Sequence, residues 1–377
     1  MTGFGDASGA GTRAVSSAAR TVRVSAPGKL ILMGEHSVVY GHPAIAVAVQ
    51  RRLRVTARVM DDDVDVPETG ASPHAVRLTL AGGSPVTVPW QEALRLADDT
   101  VDGDPGKHYG AAYLALVALG EARRLVPHAI PSMTVEVRSR IPEGHGMGSS
   151  AALALGITAA VVAAVAGHAD GSALEAAAHR VERRQHGSPS GIDGATVRRG
   201  GVVHGVCVTG VGPREMSFHA LRASPQALSR FRAFDSGRPV HGTGQVVAAV
   251  RRRLERDGSL ERELDRMGEL VRDFGDALVT GHDPTPVRDA IRAFEAGLEA
   301  LGVVPPSVAR LIRRVEVEGG AAKISGAGGL CDGRDGRPGA GMVLVYHEEP
   351  ERIRHWRFLG GLRPVDAPLG GPGLEAP

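Results

Sequence analysis

At 377 residues, with 42% hydrophobic and 23% charged residues, the chain has the composition of an ordinary globular protein. It exceeds the roughly 250 to 300 residues at which single cores stop growing, so two domains are expected. A formal net charge of +2 offers no basic field for nucleic acid and points to a small-molecule partner. Two cysteines, Cys207 and Cys331, lack metal-ligand spacing and are too few for a disulfide framework, which predicts free thiols in a reducing, cytoplasmic setting.

In chain order, residues 1–20 have neither an apolar segment nor a basic cluster and read as a disordered Gly/Ala/Ser tail, with no export signal. Strand-like runs from Thr21 to Thr56, broken by Gly-punctuated turns, open a mixed α/β domain, and short strands are expected at Ala75–Leu80 and Val86–Pro89. Tyr109–Arg124 reads as a helix and Met133–Arg138 as an alternating strand. Ala151–Ala166, mostly Ala and Val, is shorter than the roughly 20 residues needed to cross a bilayer and is predicted to be a buried helix, with no membrane contact. Ser172–Gln185 has capping-box spacing between Ser172 and Glu175 and a stop at Gly187. A linker is placed at about Gly210 to Glu215. Beyond it, amphipathic helices are expected over Thr243–Arg256, Leu260–Val279, Thr285–Leu301 and Pro305–Glu318, followed by a strand carrying Lys323 and another at Met342–Tyr346. The resulting division is 1–20 tail, 21–213 first domain, 214–365 second domain and 366–377 loose tail.

Only three of the 44 basic residues are lysines: Lys29, Lys107 and Lys323. Where arginine serves almost everywhere, a lysine suggests a site that needs a compact ammonium. The stretch "IPEGHGMGSSAALALG" (residues 141–156) places Gly144, Gly146, Gly148, Ser149 and Ser150 directly before a helix. Glycines admit close backbone approach, and a helix start leaves amides unpaired with about half a positive charge, a combination that binds phosphate. A glycine-rich connector is the other reading. Neither a Walker A pattern nor G-x-G-x-x-G is present.

Three blocks occur in order: "PGKLILMGEHSVVYGHPAIA" (Pro27–Ala46), "PEGHGMGSSAA" (Pro142–Ala152) and "KISGAGG" (Lys323–Gly329). Together they resemble the three signatures of the GHMP small-molecule kinases. "GEHSVVYGHPAIA" with "HGSPSGID" (His186–Asp193) is similar to the mevalonate kinase branch. The resemblance runs from about Thr21 to Tyr346. It implies a two-domain α+β fold: an N-terminal mixed α/β nucleotide-binding domain, a helix-rich ferredoxin-like C-terminal domain, and an active site in the cleft between them. It also implies ATP and Mg2+ as cofactors and mevalonate as the favoured alcohol acceptor, phosphorylated on its 5-hydroxyl. A homodimer is left open.

Residue by residue, the resemblance makes Asp193 the carboxylate that accepts or orients the hydroxyl proton, in a loop, and Lys29 the cation beside it in an exposed turn. It assigns nucleotide contacts to Gly144, Gly146, Met147, Gly148, Ser149 and Ser150, and to Lys323, Gly326, Gly328 and Gly329 of a closing loop. Ser150 and Glu182 become Mg2+ ligands, although Arg180, Arg183 and Arg184 also offer Glu182 ordinary ion pairs. Glu35, His36 and Thr243 face the acceptor, with His36 a candidate for its carboxylate and Thr243 also readable as a helix N-cap. Two departures stand out. Leu330 and "DGRDGRPGAG" (Asp332–Gly341) interrupt the third block with a loop expected to be mobile. After Asp193, where the branch tends to carry an arginine for the acceptor carboxylate, Arg198 and Arg199 are displaced and His204 stands near the expected place. Another acceptor alcohol (phosphomevalonate, a sugar or a cyclitol) and a catalytically silent sensor are the alternatives.

Overall fold

The computed structural model describes residues 20–60, 74–98, 108–126, 130–168, 170–186, 189–208, 215–333 and 337–377. The first domain is built on strands β1 (Thr21–Met33), β2 (Ala44–Val59), β3 (Ala75–Leu80), β4 (Val86–Pro89) and β5 (Met133–Ser139). Helices α1 (Trp90–Leu96) and α2 (Tyr113–Leu125) lie between β4 and β5. Then come α3 (Ser149–Ala166), α4 (Gly171–His186), α5 (Ile192–Arg199), β6 (Val202–Val208) and β7 (Glu215–Leu221). The sheet runs β4-β3-β5-β2-β6-β7, with β1 also paired to β2. All its pairings are antiparallel except β3 with β5.

The absence of a polar face on α3 is explained by its position. It is sandwiched between β1 and β2 on one side and α2 and α4 on the other. Gly156 lets it approach β2 closely, since a Cβ there would lie 3.0 Å from Val55. Among the described residues α3 alone is long and apolar enough to cross a membrane, and it is packed inside the protein.

The second domain contains α6 (Pro225–Ser229), β8 (Phe231–Asp235), α7 (Thr243–Leu254), α8 (Ser259–Thr280), α9 (Thr285–Ala300), α10 (Pro306–Val317), β9 (Ala321–Ser325), β10 (Met342–Tyr346) and β11 (Arg363–Val365). Its antiparallel sheet runs β11-β8-β10-β9. The buried face of α8 (Leu260, Leu264, Met267, Val271, Phe274, Leu278) repeats at spacings of three and four, which turns one stripe of the helix to the core.

Four expectations are corrected. β7 pairs with β6, so the domain division falls after Leu221 rather than at 213; the expected linker at 209–214 lies outside the described residues. Helix α4 is capped by Asp170, whose carboxylate accepts from the Ala173 amide at 2.9 Å and from the Ser172 hydroxyl, so Ser172 is not the cap. Its expected stop at Gly187 lies outside the described residues, as does the 1–19 tail. The described flanks of the 332–341 loop are tied down. Asp332 accepts from the Ser307 amide at 2.8 Å, and the amides of Gly339 and Gly341 donate to Ser236 and Gly237.

The fourth correction concerns the C-terminal segment, which is a strap across the first domain and not a loose tail. Gly370 donates to Ala48, and Gly371 accepts from Gly201. Leu374 donates to Arg198, while Glu375 exchanges both backbone bonds with Ser25. Arg52 adds bonds to the Pro372 and Gly373 carbonyls and an ion pair with Glu375 at 3.0 Å. The glycines of "LGGPG" follow from this closeness: a Cβ on Gly373 would sit 2.2 Å from the Arg198 carbonyl oxygen. Gly373→Val should therefore detach the strap, and limited proteolysis should cut the variant near its C-terminus at protease levels that leave the parent intact. An unchanged digestion pattern would contradict this packing.

Candidate active site

Lys29 lies in β1, not in an exposed turn. A register shift between Pro27 and Gly28 breaks the β1–β2 ladder immediately before it. Its amide donates to the Met147 carbonyl at 3.0 Å, docking the glycine loop onto the strand. By the twofold alternation of a strand, Leu30 and Leu32 enter the core while Lys29 and Ile31 face the cleft. The ammonium meets Asp193 Oδ2 at 2.9 Å, with the two side chains 4% and 26% exposed. At an effective dielectric near 20 such a pair is worth on the order of 4 kcal/mol before desolvation is subtracted.

Asp193 is in the first turn of α5, not in a loop. That position favours its charge, because the unpaired amides of a helix start carry partial positive charge. The left-handed Gly191 (φ 80°) turns the chain into this helix.

Opposite the pair, Gly144, Gly146 and Gly148 have φ of 75°, 85° and 68°. Side chains would be excluded here by space as well as by conformation. A Cβ on Gly148 would lie 2.7 Å from the Lys29 side chain, and one on Gly146 would lie 2.9 Å from the Ser325 carbonyl oxygen. Gly148 leads directly into α3, so Ser149 and Ser150 present the helix start to the cleft that also holds Lys29, Asp193, Glu182 and Gly326. Met147 points the other way. Its side chain is in the core, and only its carbonyl serves the site.

Glu182, 2% exposed, has its pKa pushed up to about 8 by burial and by the neighbouring Asp193 carboxylate, with Lys29 opposing. Arg180, a sequence neighbour expected to compete for it, pairs with the buried Glu121 at 2.7 Å. Two carboxyls sharing one ammonium form a donor set that a divalent cation would balance, and Ser150 lines the same cleft. Among the described residues no cluster of three or more His, Cys, Asp or Glu could hold a metal. One carboxylate and one hydroxyl suit Mg2+, which keeps waters and takes phosphate oxygens for the rest of its shell.

Two expected acceptor contacts change. His36 is in the cleft wall, but its Nε2 bonds to the Ala327 carbonyl at 3.0 Å, which requires the proton on that nitrogen. Burial lowers its pKa, so the ring is neutral and is no counter-charge for a carboxylate. His204 is on β6 opposite His219, is not among the residues lining the cleft, and is also held below the usual imidazole range by burial. Arg198 and Arg199 both bond to Glu175, at 2.5 and 3.2 Å, and so do not supply the missing cation. Thr243 does line the cleft, as the first residue of α7. The cap there is Gly242 with Gln245, whose Oε1 accepts the Gly242 amide at 3.0 Å.

The third block divides. Gly326 lines the cleft, whereas Gly328 and Gly329 pack against Val303, the Gly329 amide donating to its carbonyl at 2.9 Å. Lys323, expected at the nucleotide, is fully buried in β9 and pairs with Glu35. Glu35 lines the cleft as expected; its Oε2 has no hydrogen-bond partner. Leaving such a group unsatisfied costs about 1 to 3 kcal/mol.

Sequence reasoning missed the bond between His145 Nδ1, inside the glycine loop, and Asp235 Oδ1 of β8 at 2.7 Å. It also missed Arg238, whose guanidinium lies where a Cβ of Gly144 would be, 2.9 Å away. The histidine between two loop glycines was a visible signal; its partner 90 residues away was not.

Comparison with known proteins agrees with this geometry. The family described as GHMP kinases N terminal domain matches residues 109–201. A mevalonate kinase of Thermococcus gammatolerans is 31% identical over 94% of this chain and 98% of its own length. Two solved structures share the fold: Methanococcus jannaschii mevalonate kinase, with TM-score 0.70 and 17% identity over 93% of this chain and 98% of that one, and Streptococcus pneumoniae phosphomevalonate kinase in complex with phosphomevalonate and AMPPNP, with TM-score 0.66 and 14% identity over 94% and 99%. The glycine loop at a helix start, facing a lysine–aspartate pair across a two-domain cleft, together with this similarity along nearly the whole chain, places the protein in the GHMP kinase superfamily, most like its mevalonate kinases, as a phosphotransferase with an alcohol group as acceptor.

Proposed function

We propose that the protein transfers the terminal phosphoryl group of ATP to the 5-hydroxyl of mevalonate, giving 5-phosphomevalonate and ADP. The observation that carries this reading is the Lys29–Asp193 pair in the cleft beside the helix start at Ser149. The names of the similar proteins favour mevalonate as the acceptor. The free thiols of Cys207 and Cys331 suit a reducing cytoplasm.

In this mechanism the amides at Gly148–Ser150 receive phosphate oxygens. Asp193 accepts or orients the proton of the attacking hydroxyl, a contribution of about 100- to 10,000-fold for a placed base. Lys29 holds Asp193 by an ion pair and offsets charge on the transferred group, as phosphoryl transfer requires positioning and electrostatic stabilisation above all. Glu182 and Ser150 would hold Mg2+, which when bound supplies charge neutralisation between the phosphates.

A second reading, a different acceptor alcohol, is favoured by one observation. Among the described residues lining the cleft, Lys29 is the only full cation, and it is already committed to Asp193. No arginine there awaits a carboxylate. The silent-sensor reading has less support, because Lys29, Asp193 and Glu182 all stand in one cleft.

Asp193→Asn should retain ATP binding while kcat for mevalonate falls at least about 100-fold. Near-parental turnover would remove Asp193 from the chemistry. Turnover of another alcohol in place of mevalonate by the parent enzyme would replace the acceptor and keep the kinase.

Glu182 yields a separate expectation. A carboxyl whose pKa is raised binds its proton more tightly folded than unfolded. Its stabilising contribution is therefore full below about 4.5 and is lost as pH rises through about 8. Without Mg2+ and nucleotide, Tm of the parent should fall across that window relative to Glu182→Gln. The same variant should need more Mg2+ for half-maximal rate. Parallel Tm profiles and unchanged Mg2+ dependence would contradict the assignment.

A further inference from the structure

The glycine loop of the first domain is fastened at its middle to the second. A carboxylate can only accept, so His145 Nδ1 donates to Asp235 Oδ1 at 2.7 Å, and the same oxygen accepts the Gly237 amide at 2.9 Å. Asp235 is buried. Burial opposes its charge, yet the bonds from His145 and Gly237 outweigh it and hold the carboxyl below its usual range. The main chain is pressed together as well: a Cβ on Gly341 would lie 2.8 Å from the His145 carbonyl oxygen, and the Gly341 amide donates to the Gly237 carbonyl at 2.9 Å. Ser236 Oγ donates to the Gly341 carbonyl at 2.8 Å and accepts the Ala340 amide at 3.0 Å. The exit of β8 is therefore fixed against the loop.

That exit carries Arg238. Its Nε lies 2.9 Å and its Cζ 3.3 Å from where a Cβ of Gly144 would stand, so only glycine at 144 leaves room for the guanidinium. The side chain is exposed, and among the described residues it has no hydrogen bond or ion pair. At the other end of the loop, a Cβ on Gly148 would meet the Lys29 side chain at 2.7 Å. Gly144, Gly146 and Gly148 all line the cleft. The loop thus has a cation from each domain at its two ends. Lys29 is committed to Asp193, whereas Arg238 is uncommitted and offers the planar fork of donors that matches the oxygens of a phosphate.

We propose that Arg238 binds a phosphate of the nucleotide other than the transferred one, and that the His145–Asp235 bond is the latch that holds it over the glycine loop. This rests on the kinase reading above and deepens it. The transferred phosphate belongs at the Gly148 end, beside Lys29 and Asp193, so a guanidinium at the Gly144 end meets the part of the chain that ADP retains. Nucleotide affinity then depends on the contact between the domains, because the loop belongs to one and its second cation to the other. His145 and Asp235 act through Arg238 and are positioning residues.

The test is calorimetric binding of ADP and of a non-hydrolysable ATP analogue, with Mg2+, to the full-length parent, Arg238→Gln, His145→Ala, Asp235→Asn and the Arg238→Gln/His145→Ala double variant. Arg238→Gln should raise Kd about 10-fold for both nucleotides, the lower end for a hydrogen bond between charged groups at an exposed site. His145→Ala should raise Kd in the same direction, and the double variant should be little worse than Arg238→Gln, because the two residues act as a unit. Asp235→Asn keeps an oxygen for both donors and should bind nearly as the parent does. Parental Kd for ADP in Arg238→Gln, a penalty on the ATP analogue alone, or additive losses in the double variant would overturn the proposal. Arg238 is exposed, so Arg238→Gln carries the comparison if His145→Ala does not fold. A parent that binds both nucleotides but phosphorylates no alcohol sinks the kinase reading by itself, and the same Kd comparison still decides the role of Arg238; a parent that binds neither sinks both.

Discussion

A buried ammonium needs a carboxylate, and a carboxylate proposed to act at a reacting hydroxyl must be held in one place; the Lys29–Asp193 bond at 2.9 Å meets both requirements. Its two ends come from elements with separate supports. Lys29 is aimed by the β1 register shift and by the Met147 carbonyl, while Asp193 is fixed by the start of α5. The C-terminal strap then spans both supports, bonding to Ser25 four residues before Lys29 and to Arg198 at the far end of the Asp193 helix. Arg52 locks it by reaching Ser25, Gln50 and the strap at once. The pair is thus set by backbone contacts well outside the cleft.

The charge balance of the cleft points toward a cationic guest. Glu182 and Asp193 share Lys29, Glu35 and Glu295 share Lys323, and no further full cation lines the wall among the described residues. An anionic nucleotide would meet the α3 start, Lys29 and, beside Gly144, Arg238, and Glu182 and Ser150 would hold a divalent ion that offsets the remaining charge. The three retained lysines now read differently from one another. Lys29 pairs with Asp193 in the cleft, Lys323 joins the domains, and Lys107 lies outside the described residues.

Much of this was legible in the sequence because it is local. Glycines that need positive φ announce the loop before α3, the three-four spacing announces α8, and β10 and β3 fall on the residues expected of them. What was not legible depends on partners far away in the chain. "LGGPGLEAP" has the composition of a loose end, and only the proximity of Ala48, Arg198 and Ser25 makes its glycines obligatory. Lys323 in a glycine-rich block looks like a phosphate ligand until β9 buries it against Glu35. His36 and His204 look like candidates for a carboxylate until burial and, for His36, the Ala327 carbonyl remove the charge. Ordered blocks therefore identify the site, whereas side-chain roles inside those blocks depend on tertiary contacts.

The central claim is that the glycine loop, the start of α3 and the Lys29–Asp193 pair form one phosphoryl-transfer site. A crystal structure with a non-hydrolysable ATP analogue and Mg2+ tests it most directly. The account predicts the triphosphate along Gly144–Ser150, its terminal phosphate facing Lys29 and Asp193, and the metal between Glu182, Ser150 and phosphate oxygens. Phosphates bound elsewhere, with Lys29 and Asp193 remote from the terminal group, would contradict it.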